Sequence, residues 1–189
     1  MESDTTTTAA ARDLSGRDEF LRASLEQFEA PLVRYALSLS GDLETARDVV
    51  QDTFLRLYQQ PPGEVGGHLA QWLFTVCRNR ALDVQRKNRR MTPLTDLELD
   101  HRPTPEPSPA DSAANRDTAG HVEELLSGLS LNQREVVRLK FQHQLSYQQI
   151  AAVTSLSVGN VGFLLHTALK TLRGRLEKLD HSRPFTTPL

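Results

Sequence analysis

Two consecutive helix start signals between residues 145 and 161 constrain the fold of this chain more than any other feature. Ser146 is followed three residues later by Gln149, the spacing of a capping box, and Leu145 and Ile150 stand at the positions of a hydrophobic staple. Ser157 caps a second, longer helix, whose apolar side chains recur at helical spacing at Val161, Leu165, Leu169, Leu172, Leu176 and Leu179. A short helix, a tight turn and a longer capped helix predict a helix-turn-helix, whose second helix can enter a major groove. An ordinary helical hairpin in a bundle fits the same pattern.

Helical periodicity also runs through the rest of the chain. Apolar side chains fall three and four residues apart in residues 21–39, 46–58, 72–84 and 122–141. Pro31 lies in the middle of the first stretch and predicts a kink or two abutting helices. A capping box can begin a later helix at either Ser130 or Asn132. Because no stretch alternates as a strand would, the sequence predicts an all-α fold.

Composition divides the chain into two small helical domains. Residues 1–16 are polar and Thr-rich, and we expect a disordered tail there. Five prolines among acidic side chains between Pro93 and Thr118 predict a flexible linker. The expected organisation is a tail at 1–16, a first domain at 17–92, a linker at 93–118, a second domain at 119–180 and a tail at 181–189.

Charged and reactive side chains narrow the function. The net charge is −2, yet residues 71–99 carry six basic and three acidic side chains and residues 121–189 carry eight and five, which favours nucleic-acid contact there. With a single cysteine, no apolar signal core and no bilayer-spanning apolar run, we expect a cytoplasmic protein without membrane contact. The His residues never pair at ligand spacing, and neither clustered carboxylates nor a phosphate-binding glycine loop is visible. We therefore expect no metal, cofactor, small-molecule substrate or enzymatic activity.

Two sets of motifs resemble the bacterial RNA polymerase sigma factors. The resemblance to their promoter-melting domain, region 2, rests on VQDTFLRLY at residues 50–58, WLF at residues 72–74, Asn79-Arg80 and Asp83, and the basic run after them. The resemblance to their helix-turn-helix domain, region 4, rests on residues 133–136, 145–147, 150–151 and 157–159. Two such domains with little before or between them match the small extracytoplasmic-function group. The resemblance implies a subunit that directs the polymerase core to specific promoters and assists DNA melting. A stand-alone helix-turn-helix regulator is the alternative, although no dimer seam is visible.

The resemblance also implies partners and site residues. The contact with the polymerase core is expected at Asp48, Gln51, Asp52, Phe54 and Arg56. The contact with the minus-10 promoter element is expected at Asn79, Arg80, Asp83, Arg86, Lys87, Arg89 and Arg90. The contact with the minus-35 element is expected at Ser157, Asn160, Phe163, Thr167 and Lys170. Promoter DNA and the core enzyme are thus the implied partners, and an anti-sigma protein is a further one that is common in the group.

Two segments raise questions of their own. The loop 59–70 contains two prolines and three glycines, so we expect it to be loose, and the resemblance implies that it holds a base flipped out of the minus-10 element. In the predicted recognition helix, many relatives carry Lys, Ser and Arg where this chain has Gly162, Phe163 and Leu164. Phe163 or Leu164 can touch thymine methyl groups or a partner protein. Gly162 costs about 1 kcal/mol relative to Ala inside a helix, and the sequence offers no reason for it.

Overall fold

The computed structural model describes residues 3–91, 122 and 125–181, and the chain divides into two compact units, Met1–Pro105 and Glu106–Leu189. All regular secondary structure within the described residues is helical. The predicted all-α class is therefore confirmed. The division between the units falls inside the predicted linker, and residues 93–118 and 182–189 lie outside the described part of the chain.

The first unit is built on three long helices that pack against one another in pairs. In chain order its elements are α1 (Ser3–Ser40), α2 (Leu43–Gln59), α3 (Pro62–Val65), a 3₁₀ turn (Gly66–His68) and α4 (Leu69–Met91). Tyr35 of α1 and Phe74 of α4 meet edge to face, with ring centroids 5.2 Å apart and an interplanar angle of 66°. Both rings are buried, together with Leu32, Val49, Leu57 and Leu73. This core fixes α4 across the α1–α2 pair.

Helix α1 differs from the sequence expectation at its start and excludes one of the two alternatives given for Pro31. It begins at Ser3, so residues 3–16 are helical where a disordered tail was expected. The alanines at 9–11 have the highest helix propensity of any residue, which favours this extension. Pro31 lies inside one continuous helix and does not separate two helices. Its missing N–H costs a backbone hydrogen bond, but the next residue, Leu32, is fully buried, and that packing opposes a break.

The segment between α2 and α4 is compact, and the expectation of a loose connector was wrong. Pro62 begins α3, where its fixed φ suits the first helical position, and the N–H of Glu64 donates to the Pro61 carbonyl at 3.0 Å. Val65 is only 2% exposed and anchors the segment to the core. The 3₁₀ turn then leads directly into α4. The buried valine and the local backbone hydrogen bonds thus order a segment rich in glycine and proline.

The start of α2 is set by a glycine and an aspartate. Gly41 takes a left-handed φ of 77° and its N–H donates to the Leu37 carbonyl at 2.8 Å, which ends α1. Asp42 caps α2, and its carboxylate accepts from the N–H of Thr45 at 2.7 Å. This backbone hydrogen bond holds the pKa of Asp42 below its usual value of 3.8.

The second unit contains the predicted helix-turn-helix. Helical residues 125–127 precede α5 (Leu131–Phe141), α6 (Tyr147–Thr154) and α7 (Val158–His181). Complete capping boxes begin α5 at Ser130 and α6 at Ser146, so the first of the two possible registers for α5 is the one adopted. Ser155 ends α6 with a left-handed φ of 59°, and α6 and α7 are bent by 103° at their junction. Leu145 and Ile150, the two residues of the predicted staple, are both buried.

Only the first half of α7 buries the predicted apolar stripe. Val161, Leu165 and Ala168 are buried, whereas Leu169 and Leu176 remain exposed at 43% and 52%. The later apolar face of α7 is therefore left partly open. No single helix of the described part is long and apolar enough to cross a membrane, although α6 with residues Val158–Lys178 has the combined length and composition.

The cap of α2 predicts a specific acid sensitivity. Because the folded state lowers the pKa of Asp42, its contribution to stability is complete above pH 3.8 and is lost as the pH falls through the lower folded value. Asp42→Asn keeps a capping side chain but does not titrate. We expect the free energy of unfolding to fall less in this variant than in the parent chain on acidification below pH 3.8. Urea denaturation across this pH range measures the difference, with Glu44→Gln as a control from the same turn; equal losses in all three proteins would contradict the assignment.

The room around Gly162 predicts a stabilising substitution. A Cβ added there would stand 3.7 Å from Cε2 of Tyr147, an ordinary van der Waals distance. Since alanine is about 1 kcal/mol better than glycine in a helix interior, Gly162→Ala is expected to stabilise the second unit by about that amount. Gly174→Ala, in the same helix with nothing near its Cβ, is the matched control. Thermal unfolding measures both, and a destabilised Gly162→Ala alone would mean that Tyr147 needs the space.

Candidate nucleic-acid and protein interfaces

The outer face of α2 carries four of the five residues predicted to contact the polymerase core. Asp48, Gln51 and Arg56 are exposed and Asp52 is half-exposed; we call these four residues the α2 surface. Phe54, the fifth, is only 7% exposed and belongs to the core of the first unit. It therefore supports the helix from beneath and is not presented to a partner.

Leu55 is a member of the same exposed face that the sequence did not single out. It is 55% exposed between Phe54 and Arg56. The signal was available in the sequence, because Leu55 does not fit the apolar stripe of Ala46, Val49, Val50, Thr53 and Leu57 that α2 buries. An apolar side chain amid charged ones is the composition expected near the centre of a protein–protein contact.

The outer face of α4 gathers the residues predicted to contact the minus-10 element. Asn79, Asp83, Arg86 and Lys87 are exposed and Arg80 is half-exposed; we call these five residues the α4 surface. Nη1 of Arg86 donates to Oδ1 of Asp83 at 3.3 Å, an open pair of side chains three residues apart. Arg89 and Arg90 lie in the last turn of α4, and their side chains are outside the described part.

A residue of the α2 surface forms an ion pair with a residue of the α4 surface. Nε of Arg80 donates to Oδ2 of Asp52 at 2.6 Å, which joins α4 to α2. The side chains are 40% and 38% exposed, so the pair stands at the boundary between the two surfaces and is open to solvent. Sequence reasoning assigned Asp52 to the polymerase and Arg80 to DNA, but it had no means of detecting that they meet.

The recognition helix α7 presents Asn160, Phe163 and Lys170 on its exposed side, with Ser157 at its start; we call these four residues the α7 surface. Oγ of Ser157 accepts from the N–H of Asn160 at 3.2 Å, so the serine caps the helix and keeps its own O–H free to donate. Phe163 is 63% exposed. The surface thus combines a helix N-terminus, an amide, an aromatic ring and a cation.

Thr167 has a different position from the other four. Its hydroxyl accepts from Nε2 of Gln133 at 3.1 Å and lies 2.9 Å from the Phe163 carbonyl, to which it donates. Gln133 is also the second half of the capping box that begins α5. Thr167 therefore fastens α7 to α5, and both hydrogen-bonding functions of its hydroxyl are used within the unit.

Comparison with known proteins decides the family of this chain. The Sigma-70 region 2 family matches residues 25–91, and the Sigma-70 region 4 family matches residues 120–172. The ECF RNA polymerase sigma factor SigL of Mycobacterium tuberculosis is 34% identical over 165 residues, which cover 86% of this chain and 92% of SigL. The ECF RNA polymerase sigma factor RpoE of Cereibacter sphaeroides is 30% identical over 162 residues, covering 83% of this chain and 87% of RpoE. This chain belongs to the extracytoplasmic-function (ECF) group of sigma factors.

A solved structure of another ECF-type protein agrees with this result. The sigma factor RpoE from Bartonella quintana, determined in complex with the anti-sigma factor NepR, matches with a TM-score of 0.65 at 27% identity. The match covers 82% of this chain and 96% of that chain. As a sigma factor, the present protein directs RNA polymerase to promoters and assists in opening the DNA; a stand-alone regulator is not favoured.

The region 4 unit of this sigma factor also contains an apolar groove. Its volume is about 270 Å³, and it lies among α5, α7 and the helical residues before α5. Its walls include Leu125, Phe141, Leu169, Leu172 and Leu176. The groove is where the later part of the α7 stripe stays open.

The single cysteine of the sigma factor has no accessible chemistry. Cys77 is fully buried in the region 2 unit, and its Sγ lies 4.0 Å from the Leu32 carbonyl. Burial raises the pKa of its thiol to about 12, which outweighs the opposing hydrogen bond with Thr53. Within the described residues, no group of three or more His, Cys, Asp or Glu side chains is placed to hold a metal ion.

Proposed function

We propose that this sigma factor divides its tasks among three surfaces: α2 binds the polymerase core, α4 engages the minus-10 element, and α7 reads the minus-35 element. The observation that carries the proposal is the placement of the α2 and α4 surfaces on the outside of one rigid bundle. Their helices share a buried core, so neither surface is needed to hold the fold. The bundle therefore delivers DNA to the polymerase in a fixed orientation.

The composition of the α2 surface suits a basic protein partner with an apolar centre. Asp48 and Asp52 supply negative charge, Gln51 supplies an amide, and the exposed Leu55 supplies apolar contact. Charge complementarity of this kind guides orientation and association rate more than it adds affinity. Leu55 is the side chain best placed to contribute affinity, because apolar groups at the centre of an interface lose their hydration there.

The α4 surface has the chemistry of a DNA contact. Arg86 and Lys87 are exposed cations one residue apart, and Asn79 adds an amide that can recognise a base edge. Cations that meet phosphates add affinity without sequence preference, whereas base-edge contacts contribute about 1–3 kcal/mol of discrimination each. We assign affinity mainly to Arg86 and Lys87 and base recognition mainly to Asn79.

The α7 surface supports an upstream contact that relies on few cations. Ser157 and Asn160 lie at the helix N-terminus, where backbone N–H groups favour a phosphate, and Lys170 adds charge three turns later. Phe163 is the side chain suited to a thymine methyl group. Thr167 acts indirectly by holding α5 against α7 through Gln133.

The remaining assignments are part of the same proposal. The chain acts as a binding subunit without catalytic activity, in the cytoplasm, where the polymerase and the promoter are found. An anti-sigma protein is a further partner, since the Bartonella quintana relative was determined with one. The exposed glycines 63, 66 and 67 leave backbone open beside α4, which supports capture of a flipped minus-10 base in this segment.

Removing the two exposed cations of α4 is expected to separate promoter opening from polymerase binding. Arg86→Ala with Lys87→Ala should abolish opening, because two phosphate contacts are lost, while the affinity for core enzyme stays unchanged. Permanganate reactivity of minus-10 thymines reports opening, and co-purification reports core binding. The control is Arg22→Ala with Arg34→Ala, which removes two exposed cations from α1. If the control double variant lost opening to the same extent, net charge and not the α4 surface would be responsible.

Reversing one charge on α2 is expected to have the opposite effect. Asp48→Arg should weaken core association about tenfold or more, since a like charge then faces a basic partner. Asp48 is preferred to Asp52 for this test, because Asp52 is paired with Arg80 and its replacement would disturb α4 as well. Competition against a labelled parent chain for limiting core enzyme measures the change. Glu26→Arg, an exposed charge reversal on α1, is the control, and equal competition by parent and Asp48→Arg would exclude α2 as the contact.

A further inference from the structure

The ion pair between Asp52 and Arg80 connects the two surfaces that the proposed function assigns to different partners. We propose that it is an exchangeable latch: in the free sigma factor Asp52 holds Arg80 away from DNA, and a cationic group of the polymerase core that engages Asp52 releases Arg80 to a DNA phosphate. The inference rests on the proposed roles of the α2 and α4 surfaces. It makes Asp52 a positioning residue for a DNA contact on another helix.

The geometry sets the two uses of Arg80 in competition: one of the five N–H groups of its guanidinium bonds to Asp52, and the charge of that carboxylate opposes a phosphate at the others. Nε of Arg80 is 2.6 Å from Oδ2 of Asp52, so this N–H is committed to the carboxylate. The same carboxylate places a negative charge beside the guanidinium, where an approaching phosphate would be repelled. A cation bound to Asp52 removes both obstacles. Asp52 therefore controls Arg80 through charge as well as through the hydrogen bond.

The exposure of the pair allows exchange. With side chains 40% and 38% exposed, both groups are reachable from outside, and no backbone movement is needed for Asp52 to take another partner. Half-exposed ion pairs contribute little to stability, so the polymerase has only a weak bond to replace. The ion pair of Asp83 with Arg86, also on the α4 surface, lies within one helix and is more open, at 62% and 70% exposure. Binding of a partner to α2 therefore cannot release Arg86 by breaking this pair.

The first test measures binding of the free full-length chain to DNA. Because a phosphate contact does not depend on sequence, the probe is a fluorescein-labelled duplex of arbitrary sequence at low salt. Asp52→Ala is compared with Asp48→Ala, which removes the same charge and side chain from the same helix. We expect Asp52→Ala to bind about two- to fivefold more tightly than Asp48→Ala, the range expected for losing a weak ion pair.

The salt dependence separates a latch from a merely structural pair. One additional phosphate contact steepens the slope of log affinity against log salt by about 0.9, so Asp52→Ala should have the steeper slope by about that amount. The advantage and the steeper slope should both disappear in an Arg80→Gln background. A pair that only holds α2 to α4 would lower the melting temperature of Asp52→Ala without raising its affinity. Equal affinities of the two alanine variants, or an advantage that persists with Arg80→Gln, would overturn the proposal.

The second test asks whether the polymerase opens the latch. With saturating core enzyme, Arg80 is already released, so the difference in DNA affinity between Asp52→Ala and Asp48→Ala should vanish. A difference that persists in the holoenzyme would contradict release by the core. Failure of the proposed function is distinguishable, because it would appear as an unchanged core affinity of Asp48→Arg, whatever the DNA measurements give.

Discussion

The buried contact of α4 with α1 and α2 determines where the functional side chains of the first unit point. A helix has 3.6 residues per turn, so burying Leu73, Phe74 and Cys77 leaves a defined set of positions facing outward. Asn79, Asp83 and Arg86 are among them. In the same way, burial of one face of α2 leaves its acidic residues outside. The surfaces proposed to bind the polymerase and the DNA are thus the complement of the core of the first unit, and a change in core packing would rotate them.

The region 2 and region 4 units are held together by different sets of interactions. In region 2, long helices share a sizeable apolar core centred on Tyr35 and Phe74. In region 4, α5 and α6 are short, and two capping boxes, at Ser130 and Ser146, satisfy backbone groups at the starts of these helices. Thr167 and Gln133 then add a side-chain link between α5 and α7. These local hydrogen bonds supplement the apolar core of region 4.

Sequence reasoning succeeded where the signal is local and failed where it depends on tertiary contacts. The caps of α6 and α7 and the helical class follow from residues close together in the chain. Periodicity marks the buried face of α4 only in part: Phe74 is buried, whereas its neighbour Trp72 is half-buried. Neither the anchoring of the 60–68 segment by Val65 nor the pairing of Asp52 with Arg80 leaves a periodic trace. The open second half of the α7 stripe was also hidden, because periodicity reports which residues are apolar but not what covers them.

The burial of Cys77 has a consequence for how this protein reacts with oxidants. A thiol with a pKa of about 12 carries almost no thiolate at neutral pH, and the thiolate is the form that attacks peroxides and disulfides. It is also the only sulfhydryl in the chain. Oxidants therefore have no direct route to this sigma factor through cysteine unless the region 2 bundle first opens.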